Sequence, residues 1–104
     1  MGNSDWLART RSALWHPCTQ MKHLEAVPPL PIARGEGPWL VDHDGLRYLD
    51  CISSWWVNLF GHANPRINAA VADQLGGIGH GILGGWTHAP GGGLSERLGR
   101  LRGP

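Results

Sequence analysis

Gly37-Pro38-Trp39-Leu40-Val41-Asp42-His43-Asp44-Gly45-Leu46-Arg47-Tyr48-Leu49-Asp50-Cys51 contains two short apolar, β-prone runs, 39–42 and 46–50, joined by His43-Asp44-Gly45. Asp-Gly supplies the positive φ angles that a tight turn between antiparallel strands demands, so the stretch predicts a β-hairpin. A hairpin alone is marginal in water and needs a third strand or a helix over its apolar face. Residues 34–36, or the proline-rich segment before them, are placed to supply that strand.

Downstream of the hairpin runs Asp50-Cys51-Ile52-Ser53-Ser54-Trp55-Trp56-Val57-Asn58-Leu59-Phe60-Gly61-His62. Adjacent side chains diverge by about 100° in a helix and 180° in a strand, so two neighbouring tryptophans cannot share one face. Ser53 and Ser54 can cap a helix start, which would put Trp55 and Trp56 in its first turn. Two readings stay open: both rings fill a core beneath the hairpin, or one indole lines a substrate pocket. Next, Asn64 can cap and Pro65 suits the first helical position. Ile67, Ala70, Val71, Leu75 and Ile78 then form one apolar stripe, predicting a helix weakened at Gly76-Gly77 and finished at Gly79. Residues 80–90 read as a loop of apolar residues among glycines, suited to close contact with another surface. Leu94, Leu98 and Leu101 predict a last amphipathic helix with Ser95-Glu96-Arg97 in its first turn, ending at Gly103-Pro104.

Upstream, Trp6, Leu7, Leu14 and Trp15 with Arg9 and Arg11 between them predict a helix capped by Asp5 and ended by His16, because Pro17 forces the preceding residue out of the helical region. Residues 18–23 carry no period and read as loop. Val27-Pro28-Pro29-Leu30-Pro31-Ile32 is a stiff extended strut. The fold class is therefore α+β: an N-terminal helix, a small antiparallel hairpin or three-stranded sheet, then two to three helices. In segments this gives a helix and extended arm over 1–35, the hairpin over 36–51, and helices with a Gly-rich loop over 52–104.

The chain has 104 residues and a formal charge of +1, with charged residues at 16%. That balance offers no basic field for a phosphate backbone, so nucleic acid is not an expected partner. No run of about 18 apolar residues suggests a membrane span, and the start lacks a secretory pattern, so a cytoplasmic setting is expected. Trp6 stands where a myristoylation motif wants Ser or Thr. Cys18 and Cys51 are expected to be reduced thiols. The six histidines fall at no zinc spacing and no CxxC occurs, so no metal site is expected. The Gly-rich stretches lack the lysine and hydroxyl of a Walker loop, and no GxSxG elbow is present. Lys22, the one lysine, sits beside His23 and Glu25 in the setting of a solvated charge. From the residues alone, this is a small Trp-rich unit able to bind a small molecule, and no catalytic mechanism follows.

The motifs say more than the periodicities. Trp15-His16-Pro17-Cys18-Thr19-Gln20-Met21-Lys22, the Ser-Ser-Trp-Trp stretch through Gly61-His62, Asn64-Pro65-Arg66-Ile67-Asn68, and Gly85-Trp86-Thr87-His88-Ala89-Pro90 closely resemble the N-terminal portion of the adenosylmethionine-8-amino-7-oxononanoate aminotransferase family of biotin biosynthesis, within the class-III aminotransferases. The resemblance runs in order from about Trp15 to Leu101. It implies the N-terminal segment of a fold-type I, pyridoxal-phosphate-dependent, homodimeric transferase that moves an amino group from S-adenosylmethionine to 8-amino-7-oxononanoate, giving 7,8-diaminononanoate. In the family the first Trp of SSWW contacts substrate, which carries over to Trp55, with Trp56 beside it as a further candidate. Cys18 stands where some members place a substrate-side Tyr, and a thiol lacks the phenolic donor. Gly84 and its neighbours are similar to the loop that reaches the partner subunit's pocket.

The family runs to several times this length. What lies beyond the resemblance carries the phosphate loop, the ring-stacking aromatic, the acid at the pyridine nitrogen and the Schiff-base lysine, so the large cofactor domain has no counterpart here. The expectation is that this chain alone binds no pyridoxal phosphate, has no catalytic residue and transaminates nothing, and that its helical stripes lie exposed. The alternatives are a segment of another class-III aminotransferase with a different donor or acceptor, or a non-catalytic interaction or remnant product.

Overall fold

The structure is a computed structural model, and it describes residues 1–103. It contains a three-stranded antiparallel sheet, β1 (Ile32–Glu36), β2 (Trp39–Asp42) and β3 (Arg47–Leu49), in the order β1-β2-β3. β1 is the third strand that the hairpin required. It meets β2 with Arg34 opposite Val41 and Glu36 opposite Trp39, after a bulge between Ile32 and Arg34. Trp39, Leu40 and Val41 of β2 face Leu49, Tyr48 and Arg47 of β3. The Arg47 guanidinium lies 4.5 Å over the Trp39 ring. The connecting loop places positive φ on Gly45 alone, at 92°, so the turn is the three-residue form with one left-handed position rather than the two-residue form that needs two.

Asp42 explains that difference. It is 3% exposed, and one carboxylate oxygen accepts the Asp44 and Leu46 amides at 3.0 and 2.8 Å, folding the loop around itself. The other oxygen accepts the Tyr48 hydroxyl and the Asn3 side-chain amide, both at 2.9 Å. Burial pushes the Asp42 carboxyl up, but donors from Asn3, Tyr48, Leu46 and Asp44 outweigh it and leave the group below its ordinary value. The bond to Asp42 in turn raises the Tyr48 phenol.

Helix α1 (Asn3–Ala13) is tied to this turn. Asn3 accepts the His43 amide through its side chain and donates its own amide to Asp44, each at 3.0 Å, while Trp6 stacks on His43 at 5.1 Å. The helix starts three residues earlier than the apolar spacing predicts, with Gly2 as the cap. Asp5, the predicted cap, lies in the first turn and accepts the Gly2 amide at 3.0 Å. It ends at Ala13, before Leu14 and Trp15, whose apolar character had extended the prediction. A single turn, α2 (His23–Ala26), follows in a region without a periodic signal. Residues 27–31 belong to no helix or strand, as expected of the proline-rich strut.

After β3 come α3 (Ser53–Trp56), α4 (Pro65–Leu75) and α5 (Ala89–Arg102). Asn64 caps α4 by accepting the Arg66 and Ile67 amides at 3.1 and 3.2 Å, and α4 stops before Gly76, leaving Ile78 beyond its end. α5 begins five residues before Leu94. His88 Nδ1 accepts the Gly91 amide at 3.1 Å and Pro90 presets the first turn, so a cap overrides the poor helix propensity of Gly91, Gly92 and Gly93. The chain divides into two compact units, Met1–Asn68 and the residues from Ala69 onward.

Among the described residues Val41, at 5% exposure, is the one buried apolar side chain. Ile67, Val71 and Leu75 of α4, and Leu94, Leu98 and Leu101 of α5, are exposed, as the sequence led one to expect. Truncating Val41→Ala removes two buried methyl groups at about 0.8 kcal/mol each. The expected cost is about 1.5 kcal/mol, read as a lower urea midpoint, whereas Leu101→Ala on the exposed face of α5 should leave the midpoint unchanged.

Candidate functional site

The tetrapeptide Ser53-Ser54-Trp55-Trp56 forms a helical turn, but not the right-handed one that its serines suggested. Its four φ angles are 48°, 49°, 70° and 66°, and the Trp56 and Val57 amides close it onto the Ile52 and Ser53 carbonyls at 2.7 and 3.0 Å. α3 is therefore a left-handed turn of L-residues. Each non-glycine residue in this conformation costs about 1–2 kcal/mol relative to the right-handed form. Four in succession persist only where the surroundings over-determine them, and such strain gathers at functional sites.

Asp50, just past the end of β3, gathers the donors of the turn's first half. One of its oxygens accepts the Ser54 amide at 3.0 Å, the other the Ser54 hydroxyl at 2.7 Å, and its carbonyl accepts the Ser53 amide at 3.2 Å. His62 Nε2 lies 2.9 Å from the second oxygen. The Asp50 side chain is only 6% exposed and that of His62 20%. The backbone finishes the closure: the His62 amide donates to the Gly37 carbonyl at 2.7 Å, the Gly37 amide to the His62 carbonyl at 3.0 Å, and the Asp50 amide to the Pro38 carbonyl at 2.9 Å. Residues 50–62 thus form a compact Ω-like loop with both ends pinned to the sheet. Glycine is required at 35, because a Cβ there would lie 2.5 Å from the His62 Cβ. Asn58 braces the inside of the loop, donating to the Gly61 carbonyl at 2.9 Å with its amide oxygen turned toward His62.

The sequence-derived candidates fall in different places. Trp55 is 62% exposed and Trp56 81%, so within this chain neither ring fills a core beneath the hairpin. A cleft of about 320 Å³ opens beside the turn, walled by Pro38, Asp50, Ser53, Asn58, Phe60 and His62 among others; neither indole is part of its wall. Cys18 is exposed, with φ 51°. Gly84 belongs to the second unit, where a Cβ would rest 3.4 Å from Ile82. Sequence reasoning did not single out Asp50, Asn58 or His62. Their only signal was a carboxylate four residues before a serine and a Gly-His pair closing the same stretch, and neither announces a left-handed backbone.

The Ser54 amide first, then its hydroxyl and the His62 ring, hold the Asp50 carboxyl down to about 2, against an ordinary 3.8. A depressed carboxyl contributes stability that is fully present above its unfolded value and is lost as pH falls through its folded one. The turn should therefore loosen between pH 3.8 and about pH 2, read as loss of the resolved 19F resonances of 5-fluorotryptophan at positions 55 and 56. Asp42 acts in the same direction, so Asp50→Asn is the control: in that variant the Trp55 and Trp56 signals should no longer change across this window.

Comparison with known proteins places this loop in a family. The profile of the class-III aminotransferases matches residues 20–103. The adenosylmethionine-8-amino-7-oxononanoate aminotransferase of Helicobacter pylori is 43% identical over 88 residues, 85% of this chain and 20% of that protein. The enzyme of the same name from Geobacter sulfurreducens is 39% identical over 100 residues, 96% of this chain and 21% of that one. Among solved structures, the Methanocaldococcus jannaschii enzyme of that name superposes with a TM-score of 0.88 at 38% identity, over 94% of this chain and 22% of its own. A thermostable (S)-enantioselective omega-transaminase from Thermomicrobium roseum superposes at 0.89 with 28% identity, over 97% and 23%. The chain spans about a fifth of the length of the curated relatives it matches. With a profile match over most of its residues and relatives agreeing in both sequence and backbone, the chain belongs to the class-III aminotransferases.

Proposed function

We propose that this chain is the N-terminal part of the biotin-pathway aminotransferase, which converts 8-amino-7-oxononanoate to 7,8-diaminononanoate with S-adenosylmethionine as amino donor, in the cytoplasm and as part of a homodimer. The observation that carries the reading is the left-handed Ser53-Ser54-Trp55-Trp56 turn, which presents two exposed indoles from a strained, pinned loop. Flat apolar rings standing free of the chain's own core suit an elongated aliphatic amino-ketone, whose methylene chain gains by leaving water. In this reading Trp55 contacts the substrate and Trp56 flanks it. Cys18 and Gly84 are further substrate-side positions, and the Cys18 thiol contributes packing without a phenolic donor.

Class-III aminotransferases use pyridoxal phosphate, which supplies the electron sink for amino transfer when bound. The residues described here do not assemble a holder for it. Lys22, the sole lysine, borders a cleft with Arg11, Met21, Leu24 and Glu25, whereas Asp50 borders the cleft beside the left-handed turn, with both oxygens engaged by Ser54 and His62. The cofactor would be held by the portion of the relatives' length that this chain does not span.

A second reading rests on the Thermomicrobium roseum superposition: a class-III transaminase with a different amino donor or acceptor. Growth of a biotin-requiring host that lacks this aminotransferase separates the two. Grafted in place of the matching segment of the Methanocaldococcus jannaschii enzyme, residues 20–103 should restore growth without biotin. The chain alone should not. Trp55→Ala in the graft should lower kcat/KM for the amino-ketone about tenfold or more, which corresponds to about 1.4 kcal/mol of lost contact. Growth from the chain alone, or a graft that aminates simple ketones but not 8-amino-7-oxononanoate, would overturn the assignment.

A further inference from the structure

We infer that Asp50, clamped by His62, is the positioning residue of the two indoles: its carboxylate holds Ser53–Trp56 in the left-handed turn and so sets the direction in which Trp55 and Trp56 project. The inference takes its functional meaning from the reading above, but its geometry stands without it. Each of the four turn residues would be more stable right-handed. Three bonds from the turn end on Asp50, two on its carboxylate and one on its carbonyl, and all three involve Ser53 or Ser54, the half of the turn that precedes the rings. The choice of hand is thus coupled to a single anionic group.

His62 explains why that group stays in place. Its ring occupies the second oxygen, its backbone is locked to Gly37 by two hydrogen bonds, and Gly35 leaves the room it needs. The Asp50 carboxylate therefore cannot swing toward solvent without losing both the ring and the serine hydroxyl. Because successive residues of a left-handed turn project differently from those of a right-handed one, reversal of the hand would redirect both indoles at once.

The test uses the whole 104-residue chain labelled with 5-fluorotryptophan, with the Trp55 and Trp56 resonances assigned through Trp55→Phe and Trp56→Phe. Asp50→Asn keeps the size of the side chain but replaces one acceptor oxygen with a donor facing Ser54 and His62. The two resonances should lose their dispersion and move toward free 5-fluorotryptophan, while those of Trp6 and Trp39, on α1 and β2, stay where they are. Ser54→Gly and Ser54→Val both remove the hydroxyl but differ in tolerance of positive φ. The glycine variant should keep the dispersed pair, the valine variant should lose it, and Ser54→Gly placed on Asp50→Asn should recover it. Unchanged Trp55 and Trp56 signals in Asp50→Asn would overturn the inference. So would a shift of all the tryptophans together, which would make Asp50 a general structural group, or identical behaviour of the glycine and valine variants. None of these readouts needs a substrate, so a failure of the growth assay with the stated 19F pattern would remove the functional reading and leave the positioning role intact.

Discussion

One buried carboxylate against four unfavourable backbone angles is the constraint around which the first unit is built. Left to local preference, Ser53-Ser54-Trp55-Trp56 would wind to the right, and the serines would cap it from its own N-terminus. Asp50 reverses that preference because it is not free to move: β3 ends beside it, Pro38 accepts its amide, and His62 returns from the far end of the loop to close on the same oxygen. Strand, turn and return are one unit, and the hairpin earlier in the chain supplies the rigid base that makes the reversal possible.

A second carboxylate plays a comparable part at the opposite end of the hairpin. Asp42 gathers two loop amides, a phenol and the first helix's Asn3, so α1 attaches to the sheet through polar bonds and one aromatic stack rather than through an apolar stripe. The chain is organised by anions that collect donors, with very little hydrophobic interior to assist them. Val41 alone is buried among the described apolar residues. That distribution fits a segment whose helices are shaped to lie against more protein than is present here, in keeping with the one-fifth of its relatives' length that it spans.

The hairpin was legible in the sequence because its signal is local: Asp-Gly between two β-prone runs. Asn64 and Pro65 likewise gave the start of α4. What escaped was set by contacts distant in sequence. Asp5 looked like a cap, but Asn3 is drawn into the helix by Asp44, some forty residues away. The glycines at 91–93 fell outside the last helix as its leucines marked it, until His88 and Pro90 fixed the turn that contains them. The hand of the SSWW turn could not be read from its own letters, since no serine or tryptophan prefers positive φ. It depends on a carboxylate and a histidine twelve residues apart. The family motifs pointed to the stretch, while its geometry came only with the fold.

The edges of the sheet carry one last consequence. β3 is three residues long, and β1 enters from a proline strut, bulges between Ile32 and Arg34, and sets Arg34 and Glu36 as a charged pair at 3.4 Å on one face. Short, bulged, charged borders are poor templates for adding a foreign strand. The greasy surface of this polypeptide therefore lies on its helices, while its strand borders resist the ordered stacking that builds fibrils.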